Sequence, residues 1–201
     1  MNRRAAFQIV DTFEEALCEY TGSSYAVAVD SCTNALHLAL LYEFRLGVGD
    51  KPTVSLPAHN YVGVYHAARN AGWNVEWVDV RWEGHYTIPP TRVVDAAKDF
   101  HGGCYQPGSL YCVSFQAAKR LPIGRGGAIL HDNPAFDTWA RRARFDGRGE
   151  GEDYKNPTFT QPGFHCYLTP DAAARGLWLL TYLEDDDQGN WTEYPNLREF
   201  L

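Results

Sequence analysis

Three stretches of this chain hold residue types that could do chemistry together. Residues 114–127, SFQAAKRLPIGRGG, set a lone lysine, Lys119, between an apolar run and a turn with three glycines in four positions. A solvated surface lysine needs no such setting, whereas an amine held still beside a closely passing backbone does. Residues 30–40, DSCTNALHLAL, put Ser31, Cys32, Thr33 and Asn34 at the junction between an apolar strand and a helix. Unpaired amides and the helix dipole converge at such a junction, which suits an anion such as phosphate. In VVDAAKD, Asp95 stands at the C-terminal end of a strand, where ligands gather in open α/β sheets. The next connection carries Ser114 and Lys119.

A phosphate cradle, a carboxylate and a lysine at adjacent strand ends fit pyridoxal 5′-phosphate (PLP). The lysine amine can form a Schiff base with the cofactor's aldehyde. The carboxylate can keep the pyridine nitrogen protonated, so that the ring accepts electrons from a carbanion. A flat aromatic side chain is expected to cover the ring.

The elements that must position these groups follow from periodicity. Residues 7–20 carry Phe7, Val10, Phe13, Ala16, Leu17 and Tyr20 at helical spacing and stop at Gly22. YAVAVD reads as a buried strand, SCTNALHLALLYEF as a helix capped by Ser or Thr, TVSLP as a strand, NYVGVYHAARNAG as a helix and VEWVDV as a strand. This alternation predicts an α/β fold with a mostly parallel sheet flanked by helices. RWEGHYTIPPT then breaks the rhythm and reads as an extended connection. RVVDAA, LYCVSF and GGAILHD read as further strands and PAFDTWARRARF as a helix with Asp137, Arg141, Arg142 and Arg144 on its polar side. From residue 146 the chain is rich in glycine, charge and proline, a composition that predicts a mobile loop. A last helix follows in LTPDAAARGLWLLTYL, capped by Thr169 with Pro170 at its first position. The acidic tail beyond it, with Glu184–Asp187, is most simply solvated, as are Glu76 and Asp79. The predicted division is an α/β body over 1–145 and a loop plus helix over 146–201.

The totals of 201 residues, 45% apolar and 21% charged, allow one domain with a sizeable core. A net charge of −7 argues against a nucleic-acid partner, which calls for a basic face, but leaves room for an anionic small ligand. The five cysteines form neither a C-x-x-C pair nor an even set, so the expectation is reduced thiols in a cytoplasmic protein, with no disulfide framework and no metal. MNRRAAFQIVD lacks the apolar run of a signal peptide, and no window approaches the ~20 apolar residues of a membrane span.

Taken in order, DSCTNALHLAL, LPAHNYV, VEWVDV, VVDAAKD, SFQAAK and GRGGAIL resemble the successive blocks of the DegT/StrS family of PLP-dependent sugar aminotransferases. The resemblance runs from about residue 8 to about residue 181. It implies a fold-type-I, aspartate-aminotransferase-like architecture and a homodimer. It also implies that Lys119 holds the cofactor and shuttles the proton at the substrate α-carbon, with Asp95 partnering the pyridine nitrogen. Thr33, Asn34 and Ser114 match the phosphate ligands, Tyr61 the aromatic that stacks on the ring, and GRGGAIL the glycine turn beside the site.

Departures accompany the resemblance. Lys98 stands where the family has a Gln or His near the cofactor's 3-hydroxyl. His165 stands where the family has an Asn that reaches the neighbouring subunit's phosphate. Family members are much longer: one strand–helix unit is missing here between VDV and VVDAA, and most of the small domain is missing after residue 181. A dozen residues can extend ~40 Å, enough to cross two ~4.8 Å strand spacings, so TVSLP and RVVDAA are expected to become direct neighbours. The implied activity is transfer of an amino group from a glutamate-like amino acid to a keto group of a sugar nucleotide or related metabolite. A PLP-dependent decarboxylase or other lyase, and a non-catalytic PLP-binding or dimerising homologue, remain as alternatives.

Overall fold

The computed structural model describes residues 3–47, 52–152, 155–183 and 194–201, with the side chains of Arg3 and Arg4 excepted. The chain runs α1 (Arg3–Thr21), β1 (Tyr25–Val29), α2 (Cys32–Arg45), β2 (Thr53–Pro57), α3 (Val62–Asn70) and β3 (Asn74–Val78). It continues β4 (Tyr86–Thr87), β5 (Val93–Ala96), β6 (Leu110–Ser114), β7 (Gly127–His131), α4 (Pro134–Ala143), α5 (Pro170–Leu180) and a 3-10 turn at Leu197–Glu199.

A five-stranded sheet in the order β1-β7-β6-β5-β4 forms the centre, and β2 pairs with β3 in a second, two-stranded sheet. Its strands alternate sides because successive side chains point to opposite faces. Val27, Val29, Val93, Leu110, Cys112 and Ile129 pack toward α2, α3 and α4. Ala26, Ala28, Val94, Ala96, Tyr111, Val113 and Leu130 pack toward α1 and α5. The α/β layering therefore matches the predicted class. The central sheet is mixed, not mostly parallel: β5/β6 is parallel, while β1/β7, β6/β7 and β4/β5 are antiparallel, and the separate β2/β3 pair is parallel. The reason lies in the connections. Residues 115–126 and 88–92 contain no crossover helix and turn the chain back, whereas the helix-free stretch 97–109 is long enough to carry the chain across and leave β5 and β6 parallel.

β2 and β5 are not direct neighbours. The extended stretch 81–91 contributes β4, which takes the free edge of β5 through the pairs Tyr86–Asp95 and Thr87–Val94. β2 meets the same stretch through Ser55 N, which donates to Pro89 O at 3.0 Å.

Other boundaries shift by a few residues, and several surface expectations change. Arg144 turns inward instead of lying on a polar face: it is 1% exposed and bonds Glu14 of α1 and, at 3.1 Å, Glu150. Arg141 joins the same Glu14 at 2.6 Å. The glycine-rich loop is pinned by Arg142 to Glu152 (3.2 Å) and by Thr158 N to Glu152 (3.1 Å). Thr169 occupies the N-cap of α5 without a side-chain cap bond. α5 packs on α1 so closely that a Cβ on Gly176 would lie 2.7 Å from the Phe13 ring. Glu76 accepts a hydrogen bond from the Ser55 hydroxyl, and Asp79 pairs with Arg198 at 2.6 Å, so neither is simply solvated. The run Glu184–Asp187 lies outside the described residues.

Candidate active site

The strand period carries the site residues to one face. Asp95 sits two residues after Val93, and Ser114 two after Cys112, so both point to the side covered by α2. The β5/β6 register sets Asp95 beside Cys112. Over these strand ends lies the start of α2. Ser31 is its N-cap in extended backbone, and its Oγ accepts from Asn34 N at 3.2 Å. The amides of Cys32 and Thr33 fall in the first turn, where no intrahelical acceptor exists. β7 passes directly beneath: a Cβ on Gly127 would be 2.5 Å from Cys32 N and 2.7 Å from Ser31 C, so only glycine fits.

Ser31, Cys32, Thr33, Tyr61, Asp95, Ser114 and Lys119 line one cavity of about 340 Å³, a volume in the small-molecule range. The structure thus brings seven of the ten sequence candidates together. Asn34 stands just outside, its Nδ2 donating to Asp30 Oδ1 at 2.6 Å. Lys98 is not part of the lining, and its Nζ lies 5.4 Å from the centre of the Tyr194 ring. His165 faces a neighbouring depression with Asp30, Arg125 and Arg175, and its Nδ1 meets Asp146 at 3.0 Å.

Lys119 is fixed by a turn in which its amide donates to Gln116 O at 2.8 Å. Its side chain is half-buried in the cavity wall, and among the described residues its ammonium has no hydrogen-bond or ion-pair partner. Asp95 is 3% exposed. Burial pushes its carboxyl above the ordinary range, while the Ala97 amide, the Tyr86 hydroxyl and Lys119 pull the other way. Its Oδ1 accepts from Ala97 N at 3.1 Å and its Oδ2 from Tyr86 Oη at 2.9 Å. Tyr86 in turn accepts from Asn60 Nδ2 at 2.6 Å, and Asn60 Oδ1 accepts from Tyr61 N at 2.8 Å. Burial, then the neighbouring Asp95 charge, hold the Tyr86 phenol well above its usual range, so Tyr86 remains a donor.

Asn60, Trp82, Tyr86, Gln116, Arg125 and Tyr194 were not foreseen as individual site residues. Arg125 stands in the glycine turn, pairs with Asp30 at 2.7 Å and borders both depressions. The tryptophan and tyrosine of RWEGHY, in a stretch otherwise read as a mere connection, were the signal available for Trp82 and Tyr86.

The pattern fits PLP as a donor set. An amine without a hydrogen-bond or ion-pair partner among the described residues, a buried carboxylate and a helix start with a glycine beneath it face the same space, as the aldehyde, the ring nitrogen and the phosphate of that cofactor require.

A UDP-4-amino-4,6-dideoxy-N-acetyl-beta-L-altrosamine transaminase of Campylobacter jejuni (serotype O:23/36, strain 81-176) is 41% identical over 76 residues, 38% of this chain and 19% of that protein. Among solved structures, AtS13 from Actinomadura melliaura superposes with a TM-score of 0.74 at 21% identity, covering 87% of this chain and 60% of its own. The sugar aminotransferase CalS13 from Micromonospora echinospora gives 0.71 at 20% identity, with 87% and 60% covered. These likenesses establish the fold, and this chain spans about three fifths of the two structures and a smaller share of the Campylobacter protein. The model of the DegT/DnrJ/EryC1/StrS aminotransferase family matches residues 5–100 and 102–195, and the chain belongs to that family.

Proposed function

We propose that the protein is a PLP-dependent aminotransferase that moves an amino group from a glutamate-like amino acid to a keto group of a sugar nucleotide or related metabolite. The observation that carries this reading is the meeting of Lys119, Asp95 and the first turn of α2 around one 340 Å³ cavity. The cofactor, when bound, supplies the electron sink for cleavage at the substrate α-carbon.

In this reading Lys119 Nζ is the amine that holds the aldehyde, and it then takes and returns the α-carbon proton. Its lack of a competing partner among the described residues leaves it available for that work. Asp95 keeps the ring nitrogen protonated, and Tyr86 and Asn60 fix the carboxylate's orientation. Ser31, the Cys32 and Thr33 amides and Ser114 bind the phosphate, with Asn34 ordering the cradle through Asp30. Tyr61 covers the ring. Lys98, whose ammonium is disfavoured by burial and by the nearby Lys119 charge, would be the residue to serve the cofactor's 3-hydroxyl.

The working unit is a homodimer, and His165 is the residue that reaches the partner's phosphate. Its outward position, with 68% of the side chain exposed, supports that role. Residues 1–145 form the cofactor-binding body and 146–201 the counterpart of the small domain. The enzyme works in the cytoplasm, where its five free cysteines stay reduced.

The test is an absorbance titration with PLP followed by borohydride reduction and peptide mapping. The reading expects a visible band, cofactor fixed on the Lys119 peptide, and conversion to pyridoxamine phosphate on adding glutamate. Carbon dioxide release instead would favour a decarboxylase, and no band at all would refute cofactor binding. Sedimentation as a monomer with full turnover would remove the shared site.

A further inference from the structure

The stretch 194–201 is read from the sequence only as part of an acidic tail, yet it is tied to the cavity's rim along its length. Tyr194 O meets His59 Nδ1 at 2.9 Å, and Asn196 forms an antiparallel bridge with His59. Leu197 is 3% exposed and its amide donates to Ala58 O at 2.9 Å. Arg198 pairs with Asp79 at 2.6 Å and donates to Trp77 O at 3.0 Å. These contacts hold the Tyr194 ring in the cavity wall, stacked on Trp82 at 5.8 Å with 16° between the planes. Burial, followed by the proximity of Asp95, Tyr61 and Cys32, holds the Tyr194 phenol above its usual range.

We propose that residues 194–199 are a strap that closes the cavity with Tyr194, making Tyr194 a positioning residue that keeps water away from Asp95 and Lys119 and retains what binds there. The physical reason is that an open cleft leaves a carboxylate and an amine solvated, and charge interactions between site and ligand weaken in water. The closure stands on geometry alone. Only its consequence for PLP rests on the function proposed above.

Two cysteines make the closure measurable without cofactor. Cys32 lines the cavity at 8% exposure, and Cys104, at 7%, belongs to the core on the opposite face of the sheet. Labelling by N-ethylmaleimide, read peptide by peptide in the full chain, reports cavity opening as the Cys32 rate and general loosening as the Cys104 rate. Tyr194→Ala should raise Cys32 labelling about fivefold or more with Cys104 unchanged. Arg198→Ala, a surface change that leaves the ring in place, should raise it by a smaller factor, and Tyr194→Phe should leave it near the parent. With PLP present, Tyr194→Ala should weaken affinity about tenfold.

Unchanged Cys32 labelling in Tyr194→Ala overturns the proposal. So does a rise in Cys104 labelling in step with Cys32 in both Tyr194→Ala and Arg198→Ala, which would make the segment merely structural. If the parent protein fails to bind PLP, the functional reading falls, and the strap is still decided by the two labelling rates.

Discussion

The Tyr86→Phe substitution removes one oxygen atom, and its consequences can be worked from the site. That hydroxyl donates to Asp95 at 2.9 Å and accepts from Asn60 at 2.6 Å, all within buried surroundings. Losing a hydrogen bond to a charged group costs about 1.5–3 kcal/mol. Asp95 keeps its bond from the Ala97 amide at 3.1 Å, so the lower half, about 1.5–2 kcal/mol, is expected. For a chain of this size that corresponds to a fall in Tm of about 3–8 °C. The pH dependence has a definite sign. Burial already holds the Asp95 carboxyl above its ordinary value of 3.8, so across that interval the folded chain binds more protons than the unfolded one. Stability from this group therefore falls as pH rises through the folded value, and the cost is complete above it. Removing the Tyr86 donor raises the folded value further and deepens the cost at neutral pH. Below the ordinary value only a neutral hydrogen bond is lost, so the difference between parent and variant should shrink toward about 1 kcal/mol or less. Urea unfolding of both proteins at a series of pH values measures this. A variant within about 0.5 kcal/mol of the parent at neutral pH, or a difference that grows as pH falls, would refute the assigned role of the Tyr86–Asp95 bond.

Lys119→Ala should abolish the visible band with PLP and the borohydride-fixed label while leaving the unfolding midpoint near the parent's, since its ammonium has no partner among the described residues. Gly127→Ala drives a methyl to within 2.5 Å of the Cys32 amide, against backbone on both sides. It should destabilise by about 1–3 kcal/mol and weaken PLP binding, read by unfolding and absorbance titration. Glu14→Gln removes the carboxylate shared by Arg141 and buried Arg144, leaving Arg144 with Glu150 alone, and should cost toward the lower end of about 3–5 kcal/mol, with no selective change in Cys32 labelling.

What was legible in the sequence is what local periodicity fixes. YAVAV, VVDA and LYCVS are short apolar runs whose alternation decides which face each side chain takes, and Asp95 and Ser114 inherit their direction from Val93 and Cys112. The start of α2 was legible for the same reason, because Ser31 marks where helical spacing begins. Strand direction was not. The alternation of strands and helices predicts mostly parallel neighbours, but β6 and β7 are joined by the Lys119 turn, and the turn reverses the chain. The connection that makes β7 antiparallel to β6 is the same one that holds the amine at the strand ends.

The residues that escaped are those placed by partners distant in sequence. Tyr86 reaches Asp95 because β4 takes the edge of β5, a pairing of only two residues that leaves no periodic trace. Tyr194 reaches the cavity because Leu197 docks on Ala58 and Arg198 on Asp79, contacts that span more than a hundred positions. Both aromatics sit beside Trp82, and all three come from stretches without a strand or helix period. The regular elements thus supply the charged groups, the lysine, the carboxylate and the helix start, and the irregular stretches supply the walls that exclude water from them. That division has a physical basis: a reacting group must be held to a fraction of an ångström, which strand ends and helix caps can do. A wall need only be large, flat and docked, which a hydrogen-bonded strap achieves with less regular backbone.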